Sequence, residues 1–568
     1  MIFSQTGTPV ASAQIEHTQI YLPNLPGWHE HDPLEIWHAV KACIAAVMDE
    51  IPEVIKLEAI GITNQRETTI AWNSRTGVPY YNAIVWDDAR TEDLVKGLIR
   101  SHGGNKDCLR GATGLPLATY FSGTKIRWLI ENVKALQDDL LNDEERKFVR
   151  FGTVDTWLVW QLTGMPSSSS VDDDVKREGV QFESKFPAGN VGGRYLTDVT
   201  NASRTLFMDI ESCEWSADLV YEVLSFPLFP VDTALPEILP SSYVYGHCGV
   251  NSGVHEGVID IPVASILGDQ QAALFGQAGF HVGEAKCTYG TGLFMMMNCG
   301  TKVVPSNHGL LSTVAYKISS KETVYALEGS VAFCGSTIQW LRDQLGIIND
   351  ASESENYAKL VETNDGMYFV PAFAGLFAPY WRSDARGVIV GMTASHTKNH
   401  FCRAALEAIA YQAKELFDAM FKDSKIPLSS LKVDGGGTAN SLLMQFQADM
   451  LNAPVVLPEC PETTAMGAAF AAGLAVGVWT NLEEIREMWS VHKTWKSSMS
   501  NTDRKKYFGG WKKAVTRSFG WIGDDESGTS VASTKEVETS LKSILTVSIV
   551  SVALTTGAFF LFSVTRKR

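Results

Sequence analysis

No pair of cysteines in this chain is spaced as C-x-x-C, and its nine cysteines are an odd, scattered set. That excludes a disulfide framework and a zinc site, and it reads as reduced thiols in the cytosol. There is no H-E-x-x-H and no dense run of His, Asp and Glu, so the sequence offers no place for a protein-held catalytic metal. Positive charge is scarce. Lys and Arg number 48 against 64 Asp and Glu, for a net charge of −16 and a pI near 5.3. Nonspecific nucleic-acid binding needs clustered positive charge and is excluded, although one electropositive loop could still hold a phosphate. The first residues, MIFSQTGTPVASAQ, lack the basic-then-apolar order of a signal peptide. Neither G-x-x-x-x-G-K-S/T nor H-R-D nor D-F-G occurs, so any nucleotide is held by neither a P-loop nor a protein-kinase lobe.

What is present is ordinary globular composition, 45% hydrophobic and 20% charged over 568 residues, enough for at least two domains with full cores. Strands alternate with helical stretches throughout, which is the signature of an α/β fold. A hairpin is expected over MIFSQTGTPVASAQI with its turn at Thr6 and Gly7. PLEIWHAVKACIAAVMDEI is expected to be a helix, with Ile36, Val40, Cys43 and Val47 on one stripe. LEAIGIT reads as a buried strand, YYNAIVW as a second strand ending at Trp86, and FSGTKIRWLIENV as a helix capped by Ser122. TVDTWLVWQLTG reads as a buried helix. Residues 165 to 193 are polar and rich in Ser, Asp and Gly, and read as a long surface loop. A boundary near residue 255 divides a first domain (1–255) from a second (256–521), and residues 522–542 form a polar linker. From Ser543 to Val564 no residue is charged, and basic residues stand on both flanks. As a helix this run would span roughly 33 Å, enough to cross a bilayer. The expectation is a C-terminal transmembrane tail anchor with the bulk of the chain facing the cytosol, in the mitochondrial outer membrane.

Four stretches carry candidate chemistry. In GITNQRETT, Arg66 and Glu67 follow the buried strand. Neighbours in a strand point to opposite faces, so the expectation is not a mutual salt bridge. They read either as two solvated charges or as a polar socket for a hydroxyl-rich small molecule. In GDQQAALFGQ, Asp269 ends an apolar strand, which suits a general base and equally suits a helix N-cap. In KCTYGTGLFMMMNCG, two apolar strands flank Thr288 to Gly292, a turn whose backbone N–H groups suit a phosphate, or a plain hairpin. In VDGGGTANSLLMQFQADML a strand ends at Asp434, three glycines follow, and a helix begins near Asn440, which suits a nucleoside lying on the glycines. The small residues of ETTAMGAAFAAGLAVGVW read as a helix packed tightly on its neighbours.

Taken together, NQRETT, AIVWDDART, TYFSGTKIRW, TVDTWLVWQLTG, TNASRTLFMDI, GDQQAALFGQ, TYGTGLFMMMN, FVPAFAGLFAPYWRSDARGVIVGMT and VDGGGTANSLLMQFQADML resemble the glycerol kinases of the FGGY carbohydrate kinase family, from Ile2 to about Trp521. The resemblance implies two ribonuclease H-like domains of the actin/hexokinase/Hsp70 ATPase type. It implies phosphorylation of glycerol to sn-glycerol 3-phosphate by ATP, with Mg²⁺ carried on the ATP, in a homo-oligomer, dimer or tetramer. By the same resemblance Arg66, Glu67, Tyr120, Asp269 and Gln270 hold the glycerol hydroxyls, and Trp86 and Phe294 wall its carbon side. Asp269 takes the hydroxyl proton. Thr291, Gly292, Gly335 and Gln339 meet the ATP phosphates, and Gly436, Gly437 and Asn440 seat the adenosine. No metal-ligating side chains are implied.

Two departures from the family pattern shape further expectations. Kinases of the family begin with a strand and a D-x-G-T-type phosphate turn, and this chain begins after that turn. That predicts unpaired edges inside the first sheet and a poor kinase. SSYVYGHCGVNSGVHEG, where inhibited bacterial members carry a basic glycine loop, has no Lys or Arg, which predicts no inhibition by fructose bisphosphate. The rival readings are a catalytically impaired protein that binds glycerol and nucleotide, and a kinase for another polyol or sugar.

Overall fold

A computed structural model of the chain describes residues 1–52, 55–164, 193–382 and 384–522, together with the backbone of 560–565. The first sheet begins with the expected hairpin, β1 (Ile2–Ser4) and β2 (Pro9–Ala11), turning through Gly7 at φ +73°. Helix α1 (Pro33–Glu50) starts where expected. Asp32 caps it, its side chain accepting from the Leu34 N–H at 2.8 Å, and Pro33 sits in the first turn. Its stripe of Ile36, Val40, Ile44 and Val47 is buried. The stripe packs in one core with Ile60 and Ile62 of β3 (Leu57–Asn64). Helix α2 (Ser122–Asn132) and the almost wholly buried α3 (Val154–Leu162) follow, then β4 (Ser242–His247) and β5 (Pro262–Gly268). β5 runs parallel to β3 and leads directly into α4 (Asp269–Gly276).

The second sheet is built from β6 (Glu284–Tyr289), β7 (Leu293–Gly300), β8 (Leu311–Tyr316) and β9 (Val324–Val331), followed by helices α5 (Gly335–Asp343) and α6 (Lys398–Ser424). β10 (Ser430–Asp434), α7 (Ser441–Leu451), β11 (Val455–Pro458), α8 (Thr463–Ala475) and β12 (Val491–Trp495) complete it. The strand order is β8-β9-β7-β6-β10-β11-β12. Its core joins Met295, Leu431, Leu416 of α6 and Met444 of α7. The expected hairpin is β6–β7, paired from Ala285–Met297 to Tyr289–Leu293.

Helix α8 belongs to the second half in sequence yet lies against the first sheet. The hydroxyls of Ser265 and Ser242 donate to the Ala468 and Ala471 carbonyls at 2.8 and 2.7 Å. A Cβ on Gly61 of β3 would stand 2.4 Å from the Ala468 oxygen. The contact of α8 with α4 is closer still. A Cβ on Gly276 would stand 1.9 Å from the Thr463 oxygen, and one on Gly467 would stand 1.8 Å from the Ala272 oxygen. Only glycine allows backbones to meet at that distance, which is the packing role expected for the small-residue helix.

Three expectations are corrected. The transmembrane helix is the largest. Residues Phe560–Thr565, at the end of the uncharged run, form a strand, β13, in the first sheet, whose order is β4-β5-β3-β13-β1-β2. β13 is parallel to β1 and antiparallel to β3. Among the described residues no helix is long and apolar enough to cross a membrane, so the tail anchor and the mitochondrial outer-membrane location that rested on it are withdrawn. An uncharged run has no polar face to fix its period, and FLFSVT, rich in aromatic and β-branched residues, suits a strand. The second correction follows from the first: the facing edges of β1 and β3 are paired, each with β13. Third, the strand expected over residues 80–86 is reduced to Ala83–Ile84, because the Asp88 N–H turns back to the Val85 carbonyl at 3.1 Å. The loop expected at 165–193 falls, but for residue 193, outside the described residues, as do the linker from residue 523 and residues 543–559.

Candidate active site

β3 ends at Asn64, and the chain leaves it through Gln65, Arg66 and Glu67, with Glu67 at φ +60°. That left-handed residue breaks the strand alternation, so Arg66 and Glu67 do not point to opposite faces, as expected, but enter one buried charge cluster. Arg66 Nη1 and Nη2 donate to the two carboxylate oxygens of Glu328, on β9, at 2.6 and 2.8 Å. Arg66 Nε lies 3.1 Å from Asp269 Oδ1 and 4.0 Å from Glu67 Oε2. Glu67 is held chiefly by Arg204, whose Nε donates to its Oε1 at 2.5 Å. Arg204 Nη1 lies 3.4 Å from Glu328 Oε2. Two arginines and two glutamates, all buried, therefore neutralise one another, with the fork of Arg66 matched to a carboxylate. Burial alone would push the Glu328 carboxyl up, but Arg204 and Arg66 outweigh it and hold it at about 2. For Glu67 burial wins over the same two arginines, and its carboxyl lies above the usual value.

Asp269 is the first residue of α4. The N-cap is Gly268, and the Asp269 side chain caps nothing beyond its neighbour, accepting from the Gln270 backbone N–H at 2.7 Å. The capping alternative is thereby set aside. The carboxylate is about one-third exposed, at 33%, so it reaches solvent while the charges around it are closed off. The Gln270 side-chain amide also faces it, Nε2 to Oδ2, at 3.4 Å.

Aromatic rings stand beside this cluster. Trp86 and Tyr120, both half-buried, meet edge to face with centroids 5.7 Å apart, and the Arg204 guanidinium lies 5.6 Å from the Tyr120 ring. Ser122 is not the expected cap of α2. It is the first helical residue, and its hydroxyl donates to the Glu67 carbonyl at 3.2 Å, fixing the loop on which Arg66 and Glu67 sit. Phe294 comes from the other sheet. In the register of β6, β7 and β9, Lys286 pairs with Met296 and Met296 with Glu328. Directly paired residues and residues two apart share a face, so Phe294, Lys286 and Glu328 lie on one face of the second sheet.

The tip of the β6–β7 hairpin carries Thr291 and Gly292. It is clamped to the start of α5: the Cys334 and Ser336 N–H groups donate to the Thr291 carbonyl at 2.9 and 3.2 Å, and the Gly335 N–H to the Gly290 carbonyl at 2.9 Å. Gln339 lies on the second turn of α5, half-buried. The glycine triplet packs on the same hairpin, since Cβ atoms on Gly435 and Gly437 would stand 2.7 Å from the Tyr289 oxygen and 2.9 Å from its Cβ. Beside Gly436 there is open space. α7 begins beside Asn440, as expected, and Asn440 caps it, its side chain accepting from the Leu443 N–H at 2.9 Å. The hairpin thus joins the two groups of candidate residues, with Phe294 on its strand and Thr291, Gly292, Gly335 and the glycines around its tip.

Sequence reasoning missed Arg204, Glu328 and Lys286. Glu328 is the single charge in the apolar strand VYALEGSV, and Lys286 stands inside EAKCTY with Ala285 and Cys287 beside it; a charge so placed is itself the signal. Arg204 lies in TNASRTLFMDI, where nothing distinguishes it from a surface residue. Among the described residues no three His, Cys, Asp or Glu side chains are grouped to hold a metal.

Comparison with known proteins agrees with this architecture. Residues 1–276 match the N-terminal domain, and residues 285–476 the C-terminal domain, of the FGGY family of carbohydrate kinases. A glycerol kinase of Roseiflexus sp. (strain RS-1) is 50% identical over 92% of this chain and 96% of its own length, and one of Brucella anthropi is 49% identical over the same shares. The crystal structure of Plasmodium falciparum glycerol kinase with ADP superposes with a TM-score of 0.79 at 37% identity, covering 91% of this chain and 95% of that one. The chain is an enzyme of the FGGY family of carbohydrate kinases.

Proposed function

We propose that this chain transfers the γ-phosphoryl group of ATP to a terminal hydroxyl of glycerol, with Asp269 as general base. The observation that carries the reading is the position of Asp269: a partly open carboxylate between the Arg66 guanidinium and the Gln270 amide, beside a polar cluster whose charges are already paired. A triol offers donors and acceptors together, which suits Arg66 as donor and Glu67 as acceptor. Tyr120 joins them in holding the hydroxyls, and Trp86 and Phe294 supply the apolar walls on the carbon side. MgATP, as second substrate, lies across the hairpin tip with its phosphates at Thr291, Gly292, Gly335 and Gln339. Its adenosine lies on Gly436 and Gly437 beside Asn440, where the open space at Gly436 accepts a flat group. The hydroxyl proton passes to Asp269 as the oxygen attacks the γ-phosphorus. The bond from that phosphorus to the β–γ bridging oxygen breaks, and ADP leaves. Rate in such a transfer comes from alignment and from fixed charge, and both are properties of the packed cluster.

The names of the relatives at 50% and 37% identity support glycerol as substrate. The test is a steady-state assay of ADP release by the purified full chain with glycerol, xylulose or gluconate. Turnover with glycerol at kcat/KM at least tenfold above the other two is expected. A preference for either sugar refutes the substrate, and ADP release with none of them refutes the kinase reading.

A further inference from the structure

Lys286 is buried to 0% exposure on β6, and the reaction as described above does not use it. Its ammonium donates to the Gln270 side-chain oxygen and, at 3.0 Å, to the Thr288 hydroxyl. Among the described residues no carboxylate pairs directly with it. Asp434, Asp269 and Glu328 act on it through space, but burial outweighs them and lowers its pKa below the usual value. An ammonium buried on two neutral oxygens is costly to the fold, and a methionine of similar length would pack at lower cost.

Resting on the kinase reading, we propose that Lys286 is a positioning residue for phosphoryl transfer, acting on Asp269 through Gln270. The amide of Gln270 has one acceptor end and one donor end. Lys286 takes the oxygen, so the NH₂ group is left facing Asp269 Oδ2, 3.4 Å away. On the other side of the same carboxylate, Glu328 holds Arg66, whose Nε lies 3.1 Å from Oδ1. Lys286 and Glu328 share one face of the second sheet, linked in register through Met296. That sheet therefore braces the base from two sides, by an anion behind Arg66 and by a cation behind Gln270. Without Lys286 the amide can turn over and present its oxygen to Asp269, where two acceptors would repel.

The test is a double-mutant cycle in the full chain with Lys286→Met, Gln270→Met and the pair. Each is read by melting temperature and by kcat and KM with glycerol. Lys286→Met is expected to lower kcat about tenfold, the scale of one hydrogen bond from a charged donor. Glycerol KM is expected to move less than threefold, and the loss in kcat to vanish in the Gln270→Met background. Additive kcat losses would overturn the relay, because Lys286 would then act on its own. Coupling in melting temperature with no coupling in kcat would also overturn it, leaving Lys286 a structural residue. No coupling in either readout denies the Lys286–Gln270 bond. A wild type inert toward glycerol refutes the substrate reading instead, and the melting-temperature cycle still decides whether the bond exists.

Discussion

Replacing Glu328 by Gln tests the charge cluster with almost no change of volume. In the wild type the carboxylate accepts from Arg66 at 2.6 and 2.8 Å and pairs with Arg204 at 3.4 Å. The amide keeps one acceptor and turns an N–H group toward a guanidinium that has only donors. Two buried cations are then left with Glu67 as their one fully buried anion. Breaking a buried pair from one side costs about 3–5 kcal/mol. At 2–4 °C per kcal/mol for a domain of this size, the melting temperature should fall by roughly 6–20 °C. Arg66 also loses its anchor, and the glycerol KM should rise roughly ten- to hundredfold, the loss of a charged hydrogen bond of about 1.5–3 kcal/mol. The effect has a pH signature. Glu328 is held at about 2 in the fold against an ordinary value of 4.5. A depressed carboxyl contributes stability that is fully present above the unfolded value and is lost as pH falls toward the folded one. The gap in melting temperature between wild type and Glu328→Gln should therefore be constant above pH 4.5 and close as pH falls from 4.5 toward 2. Circular-dichroism melts across that range, with glycerol kinetics at neutral pH, measure both effects. A variant that melts within 2 °C of wild type with an unchanged KM would refute the argument that this pair holds the two sheets and the substrate side together.

Four further substitutions separate roles around the site. Asp269→Asn should lower kcat by ~10² to 10⁴ with a small change in glycerol binding, and equal losses in both would remove Asp269 as the base. Arg66→Ala should raise glycerol KM by an amount equivalent to roughly 1.5–3 kcal/mol; since it also strips Glu328 of its main partner, its melting temperature should fall as well, and an unchanged KM takes Arg66 out of the socket. Gly436→Ala meets open space and should leave the melting temperature unchanged while raising KM for ATP, whereas Gly435→Ala, at φ +86° and against the Tyr289 carbonyl, should lower the melting temperature. The same result for both glycines would contradict the assignment of one to packing and the other to the nucleotide.

Much of this was legible from the chain alone, and the misses share a physical cause. The hairpin over residues 286–300 and the strand ending at Asp434 follow from short-range rules: apolar strands flank glycine turns, and Asn440 stands where a helix must satisfy its first N–H groups. What the sequence hid is long-range. Glu328 is 262 residues from Arg66 and Arg204 is 137 residues from Glu67, and no local pattern says that such charges meet. Residues 560–565 fail for the converse reason. Their apolar character was plain, but whether such a run pairs as a strand depends on a gap between β1 and β3 some five hundred residues earlier in the chain.

The contact between α4 and α8 has a mechanical consequence. Gly276 rests on Thr463 and Gly467 on Ala272, main chain to main chain, and around that crossing Leu274 and Phe275 share one core with Met466 and Phe470. A joint of that kind resembles a weld more than a hinge. Turning one helix on the other would drag those packed side chains from their sockets, and separating the two would open a void at once. The two sheets meet at this point, and α4 starts at Asp269. A single methyl group at Gly276 or Gly467 would therefore act as a wedge, forcing apart the two helices, one of which carries Asp269 at its start.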